Sequence, residues 1–238
     1  MVNSYIAQSL DRSPVHVAGI EYRAVQNHYF HRLAPWFRAS IAGGQAYRKL
    51  SQDAALTAEA KAVYPEGWSG ENIMDAIAEY EKTLITPDDR FDQWLKGKND
   101  AISVAEAEGY QRFKAYRCAS CHVGKTLGGQ SFEYMDLKKD YFADRGNPLG
   151  SDGGLQNFTK KSSDLHKFKV PNLRNIELTA PYLHDGTVTT LDEAVRIMGV
   201  YLSGMEIPRN DRESIVAFLR TLTGKHKGKK LEGQVTPR

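Results

Sequence analysis

The chain has two cysteines among its 238 residues, and both lie in the run Cys118-Ala119-Ser120-Cys121-His122. That spacing is the attachment pattern of a c-type haem: two thiols add across the vinyl groups, and the next residue, a histidine, is placed to give an imidazole nitrogen to the iron. A bare Cys-x-x-Cys has two other readings. A thioredoxin-like redox pair calls for a βαβ context, which the surrounding pattern lacks. Half of a zinc site calls for two further ligands, and no other cysteine exists to supply one. Haem c is the reading that uses all three residues. With no other thiol in the chain, thioether chemistry sets a ceiling of one such haem.

The hydrophobic pattern predicts a mainly α fold with long ordered loops around this cofactor. Residues 1–44 carry His16, His28, His31, Trp36 and Phe37 without helical or strand period. From Tyr47 the pattern turns helical. Ile73, Ile77, Tyr80 and Leu84 fall on one face of a helix that Pro87 closes. Ser103 with Glu106 reads as a capping box opening a helix that runs into the cysteine motif, and Thr190 with Glu193 and Asn210 with Glu213 repeat the arrangement. The stretch from Gly124 to Lys167 is rich in Gly, Asp, Lys and Ser and reads as loop with short strands; a loop that long in a compact domain usually wraps something functional.

A formal net charge of +3 is too small to point to nucleic acid. Much of the excess is the run Lys225, Lys227, Lys229 and Lys230, which reads as a solvated tail. No stretch is long or apolar enough to span a membrane. The first residues, Met1-Val2-Asn3-Ser4-Tyr5, have neither the basic nor the apolar region of a signal peptide. Since haem c is normally attached outside the bacterial inner membrane, this predicts a removed leader or a start that is not the natural one.

The second axial ligand is open on residue type alone. Met135, Met198, Met205, His166 and His184 all lie downstream of the motif. A thioether raises the iron potential relative to a second imidazole and favours electron transfer, whereas a helical methionine is most often core filler.

Larger blocks resemble the bacterial di-haem cytochrome c peroxidase family and its methylamine-utilisation relatives. They are Ala78-Glu79-Tyr80-Glu81-Lys82-Thr83-Leu84-Ile85-Thr86-Pro87 with Arg90-Phe91-Asp92, then the cysteine motif with Leu127-Gly128-Gly129-Gln130. Next come Lys169-Val170-Pro171-Asn172-Leu173-Arg174-Asn175 and Leu178-Thr179-Ala180-Pro181-Tyr182-Leu183-His184-Asp185-Gly186. Thr190 to Val195 and Ala217 to Gly224 complete the match, which covers about residues 45–224.

The resemblance implies a cytochrome c-like helical domain, residues 45–224, carrying the electron-transfer haem. It precedes a basic tail, 225–238, and follows an atypical segment, 1–44, read as a remnant of the peroxidatic domain. In the family, the methionine ligand lies fourteen residues after the histidine of the Pro-Tyr-x-His block, which here selects Met198, with Met205 as the fallback. His184 then neighbours the haem without ligating it, and Arg174 and Lys169 pair with its propionates, with ordinary surface charge as their alternative. The family's calcium would sit on backbone carbonyls of Thr179 and Pro181. The implied reaction reduces hydrogen peroxide to water with electrons from a small cytochrome c or cupredoxin in the periplasm, and a homodimer is the implied assembly.

The departure from the family lies before Cys118. Complete members carry a second Cys-x-x-Cys-His there, at the haem where peroxide reacts, and this chain has none, so its catalytic residues are unassigned. A His122/Met198 iron has both axial positions filled. The rivals to a peroxidase-family electron-transfer chain are a mono-haem carrier without catalysis and a truncated remnant.

Overall fold

The computed structural model describes residues 45–231, which divide into two units, 45–85 and 86–231. The expected domain 45–224 is therefore split between Ile85 and Thr86. Residues 1–44, with His16, His28 and His31, lie outside the described residues.

The first unit contains α1 (Gln45–Gln52), α2 (Ala54–Val63) and α3 (Gly70–Lys82). Asp53 starts α2 by accepting the Leu56 N–H at 2.9 Å. The unit's core is small: Ile73 and Met74, with Leu50 and Trp68 packed against them. The predicted α3 face is only partly realised. Ile73 is buried, but Ile77 and Tyr80 are exposed and Leu84 lies beyond the helix end. Met74 and Ala78 fill the buried positions instead, one residue on from Ile73 and Ile77.

The second unit is built on a helix crossing. After α4 (Arg90–Leu95), α5 (Val104–Ala115) packs across α9 (Arg209–Arg220). The crossing is close because Gly109 has no side chain; a Cβ there would stand 1.9 Å from the Ser214 carbonyl oxygen. Around it Phe91, Tyr110, Phe113 and Phe218 meet edge-on or tilted, with centroids 4.9–5.3 Å apart. Phe218, Ile215 and Leu222 are almost wholly buried.

The predicted caps fare differently. Ser103 and Glu106 make both bonds of the capping box on α5. Thr190 caps α8 (Leu191–Ile197) through the Glu193 N–H at 3.3 Å, but the Glu193 side chain is taken by Arg196. Asn210 caps nothing: α9 begins at Arg209 after Pro208, and Glu213 pairs with Arg209.

The long loop carries its own structure. Strand β1 (Phe132–Tyr134) pairs antiparallel with β2 (Lys167–Lys169), and between them lie α6 (Tyr141–Arg145) and α7 (Gln156–Thr159). The basic run is not a free tail up to Lys230. It folds as a hairpin, β3 (Lys225–His226) on β4 (Lys229–Lys230), turning through Lys227 and Gly228, both at positive φ. No helix among the described residues is long and apolar enough to cross a membrane.

Candidate haem site

Helix α5 delivers the cysteine motif. It ends at Tyr116, Arg117 takes a left-handed conformation (φ 63°), and Cys118–Ser120 close a 3-10 turn. The turn brings His122 N–H to the Cys118 carbonyl at 3.0 Å, so both sulfurs and the imidazole issue from one short coil. The two cysteines are free thiols. Burial pushes the Cys118 thiol up to about 11.

The His122 ring is fixed from behind. Its Nδ1 lies 3.1 Å from the carbonyl oxygen of Leu127 and 3.1 Å from that of Pro171. Nδ1 therefore carries the proton and donates, which leaves Nε2 as the lone-pair nitrogen. Burial lowers the ring's affinity for a second proton, against the pull of those two carbonyls. A neutral imidazole with its second nitrogen on backbone carbonyls is the arrangement of a metal-ligating histidine. Two unpaired thiols beside it complete the donor set of a covalent haem, and these residues fit that group. Among the described residues no cluster of three or more His, Cys, Asp or Glu could hold a metal ion by itself.

The five candidates for a second ligand are spread through the unit. Met135 is buried in the main core, and Met205 is partly exposed after Gly204. Met198, partly buried against the core, opens a π-helical turn, Met198–Ser203, that continues α8. Such turns recur at functional sites, and no sequence period announces one. His166 stacks on Phe142 at 3.9 Å and pairs with Asp136 at 2.7 Å. His184 holds Asp152 at 2.8 Å and lies against Phe168 at 4.4 Å.

Around His184 the structure assembles a buried network that sequence reasoning missed. Asp152 also accepts from Arg145 at 2.5 Å and from the Leu149 N–H at 2.7 Å. Arg145 reaches on to Asp185 at 2.7 Å. Burial by itself would raise the Asp152 carboxyl, but the hydrogen bonds from Arg145, Leu149 and His184 outweigh it and hold it at about 2. Arg145 ends the five-residue α6 and Asp152 lies in a short 3-10 turn, elements too brief for any periodicity to mark them.

Arg174 is not an ordinary surface charge, being only 8% exposed. It forms an ion pair with Asp89, another with Asp92 at 2.7 Å, and two hydrogen bonds to the Lys125 carbonyl at 3.0 and 2.7 Å. All but one of its N–H groups are thereby taken, which leaves little for a propionate. Lys169 sits on β2 opposite Phe132. Thr179 and Pro181 flank Ala180 after a short 3-10 turn, and the Thr179 hydroxyl bonds back to Ile176 O at 3.0 Å. Asn172 Oδ1 is a buried oxygen without a hydrogen-bond partner, one residue after the Pro171 carbonyl.

A family model described as di-haem cytochrome c peroxidase matches residues 38–100, beginning inside the N-terminal segment expected to be atypical. The cytochrome c peroxidase Ccp of Escherichia coli (strain K12) is 50% identical over 192 residues, covering 81% of this chain and 41% of that protein. The cytochrome c551 peroxidase of Nitrosomonas europaea is 44% identical over 154 residues, 65% of this chain and 45% of its own length. The chain thus spans less than half the length of either relative. Among solved structures, a MauG-like protein associated with microbial copper homeostasis superposes with a TM-score of 0.61 at 26% identity, over 75% of this chain and 61% of that one. The diheme peroxidase BthA of Burkholderia thailandensis shares the fold at 17% identity, with a TM-score of 0.57. A cytochrome c-like helical fold and half of all residues shared with the Escherichia coli protein over the matched length lead to one assignment: the chain belongs to the di-haem cytochrome c peroxidase family.

Proposed function

We propose that this chain carries the electron-transfer haem of a cytochrome c peroxidase, held by thioethers to Cys118 and Cys121 with His122 and Met198 as axial ligands. The observation that carries the reading is His122. Its Nδ1 is committed to two backbone carbonyls, which turns Nε2 toward coordination beside two free thiols.

A bound haem c supplies a one-electron couple. The chain's own residues bind and orient it. The 3-10 turn presents both sulfurs, and the Leu127 and Pro171 carbonyls fix the ring plane of His122. Phe113, at 6.3 Å from that ring, contributes an apolar wall that excludes water. Met198, in the π turn after α8, is the assigned thioether, and His184 is a neighbour held by Asp152.

Electrons would come from a small cytochrome or cupredoxin, and the complete reaction would reduce hydrogen peroxide to water in the periplasm. Calcium on the Thr179 and Pro181 carbonyls belongs to the same reading, since uncharged backbone oxygens suit a hard cation. A mono-haem electron carrier is the second reading. It is favoured by the cysteine count, which allows one thioether-bound haem in this chain.

The test is a pyridine haemochrome assay against protein concentration. One haem per chain that survives acid-acetone extraction is expected. Two haems per chain, or haem lost to the solvent, would overturn the assignment.

A further inference from the structure

The one N–H of a neutral His122 at Nδ1 faces two acceptors, and these come from segments far apart in sequence. Leu127 ends the turn that follows the cysteine motif, and Pro171 begins the stretch after β2. The two segments meet so closely that Gly128, at φ +131°, is the residue between them; a Cβ there would stand 2.1 Å from the Pro171 oxygen. Backbone bonds from Gly129 N to Val170 O at 2.8 Å and from Leu173 N to Thr126 O at 3.1 Å run along the seam.

One side chain spans the same seam. Arg174 belongs by its backbone to the segment that supplies Pro171. Its guanidinium grips the other segment at the Lys125 carbonyl through Nε and Nη2. The grip is anchored on α4, where Asp89, which caps the helix, and Asp92, in its first turn, take the remaining edges. We infer that Arg174 is a positioning residue for the axial histidine: it sets the spacing of the two carbonyls at Nδ1, and through them the electron-donating strength of His122 toward the haem iron. The inference rests on the haem reading proposed above.

The physical chain is short. A hydrogen bond at Nδ1 makes the ligating nitrogen more basic, and a more basic ligand stabilises the ferric state over the ferrous one. Loosening the turn that carries Leu127 weakens that bond and raises the midpoint potential. Only a planar fork can hold two carboxylates and a carbonyl together; a lysine at 174 offers a point charge and cannot keep all three. Arg174 acts as a bracket on the ligand and not as a propionate contact.

The experiment compares haem-loaded Arg174→Lys with the unmodified protein by potentiometric titration and by electron paramagnetic resonance of the ferric haem. Arg90→Lys serves as the control, an ion pair on the same helix made to Glu106 instead. The expected result is an upward shift of potential with altered g-anisotropy for Arg174→Lys, and neither change for Arg90→Lys. If Arg174→Lys lowers only the unfolding temperature, with potential and spectrum unmoved, the residue is merely structural and the inference fails. Should that variant not fold, Asp92→Ala removes one anchor and keeps Asp89. A smaller shift in the same direction supports the bracket, and an unmoved potential overturns it. A haemochrome assay on the unmodified protein separates the two failures: absence of covalent haem sinks the haem reading itself, whereas haem present with an unmoved potential sinks only the role of Arg174.

Discussion

Asp152 accepts from His184 Nε2 at 2.8 Å through one carboxylate oxygen and from Arg145 at 2.5 Å through the other. The pair is a buried ionic anchor, with side-chain exposures of 9% for Asp152 and 15% for Arg145. Asp152→Ala leaves Arg145 with Asp185 as its one carboxylate partner and strips His184 of its carboxylate. A loss of about 3 kcal/mol is expected, since breaking one partner of a buried pair strands the other. Denaturant unfolding of the two proteins measures it; a loss within about 0.5 kcal/mol, the usual range for surface substitutions, would show that the network contributes nothing.

The same carboxylate predicts a pH dependence. Its folded value of about 2 lies below the ordinary 3.8, so the folded state binds the proton less tightly than the unfolded one. The stability it contributes is fully present above the ordinary value and fades as pH falls toward about 2. The gap in stability between the unmodified chain and Asp152→Asn should therefore be constant at neutral pH and narrow below about pH 4. A gap that widens on acidification would reverse the sign and refute the pairing.

Ferric haem with histidine and methionine ligands shows a weak charge-transfer band near the red edge of the visible spectrum, which bis-histidine haem lacks. Met198→Ala should abolish it and Met205→Ala should leave it. A band that survives the first change and disappears with the second identifies Met205 as the ligand.

If His122 and Met198 fill both axial positions as proposed, peroxide has no direct access to iron. The purified chain should accept electrons but turn over hydrogen peroxide slowly. Met198→Ala should react faster by about tenfold or more, equivalent to ~1.4 kcal/mol from the barrier. Stopped-flow mixing of each reduced protein with peroxide decides it, and rapid turnover by the unmodified chain would contradict the assigned coordination.

Gly109→Ala places a methyl group where the Ser214 carbonyl already stands. Helices α5 and α9 must separate, at a cost of about 2 kcal/mol or more. A fall in unfolding temperature of roughly 5 °C is expected by calorimetry. An unchanged transition would mean that the crossing is looser than described.

How far the sequence could be read depended on how local the information was. The cysteine motif is five consecutive residues, so the haem reading proposed for it drew on no distant residue, and the capping box of Ser103 with Glu106 needed only one turn of helix. Ile77 and Tyr80 misled because a period describes a face without saying which side meets a core; in a unit whose buried cluster is Ile73 and Met74, most of that face stays exposed. Asn210 had the right residue type, but Pro208 two positions earlier set the helix start. The π turn at Met198 and the partners of Arg174 were out of reach. Asp89, Asp92 and Lys125 lie 85, 82 and 49 positions away from it, and no spacing rule joins them.

The hairpin after Gly224 has a topological consequence. Lys225 N–H bonds to Pro87 O at 2.9 Å, its ammonium reaches Asp88 at 3.0 Å, and Gly224 rests against the Thr86 carbonyl. The second unit's first and last segments are thus stitched side by side, so its backbone describes a nearly closed ring. A short linker from residue 231 back to 86, with a new opening at the exposed Lys160–Lys161 turn, would give a circular permutant that keeps α5 against α9 and leaves the cysteine motif undisturbed.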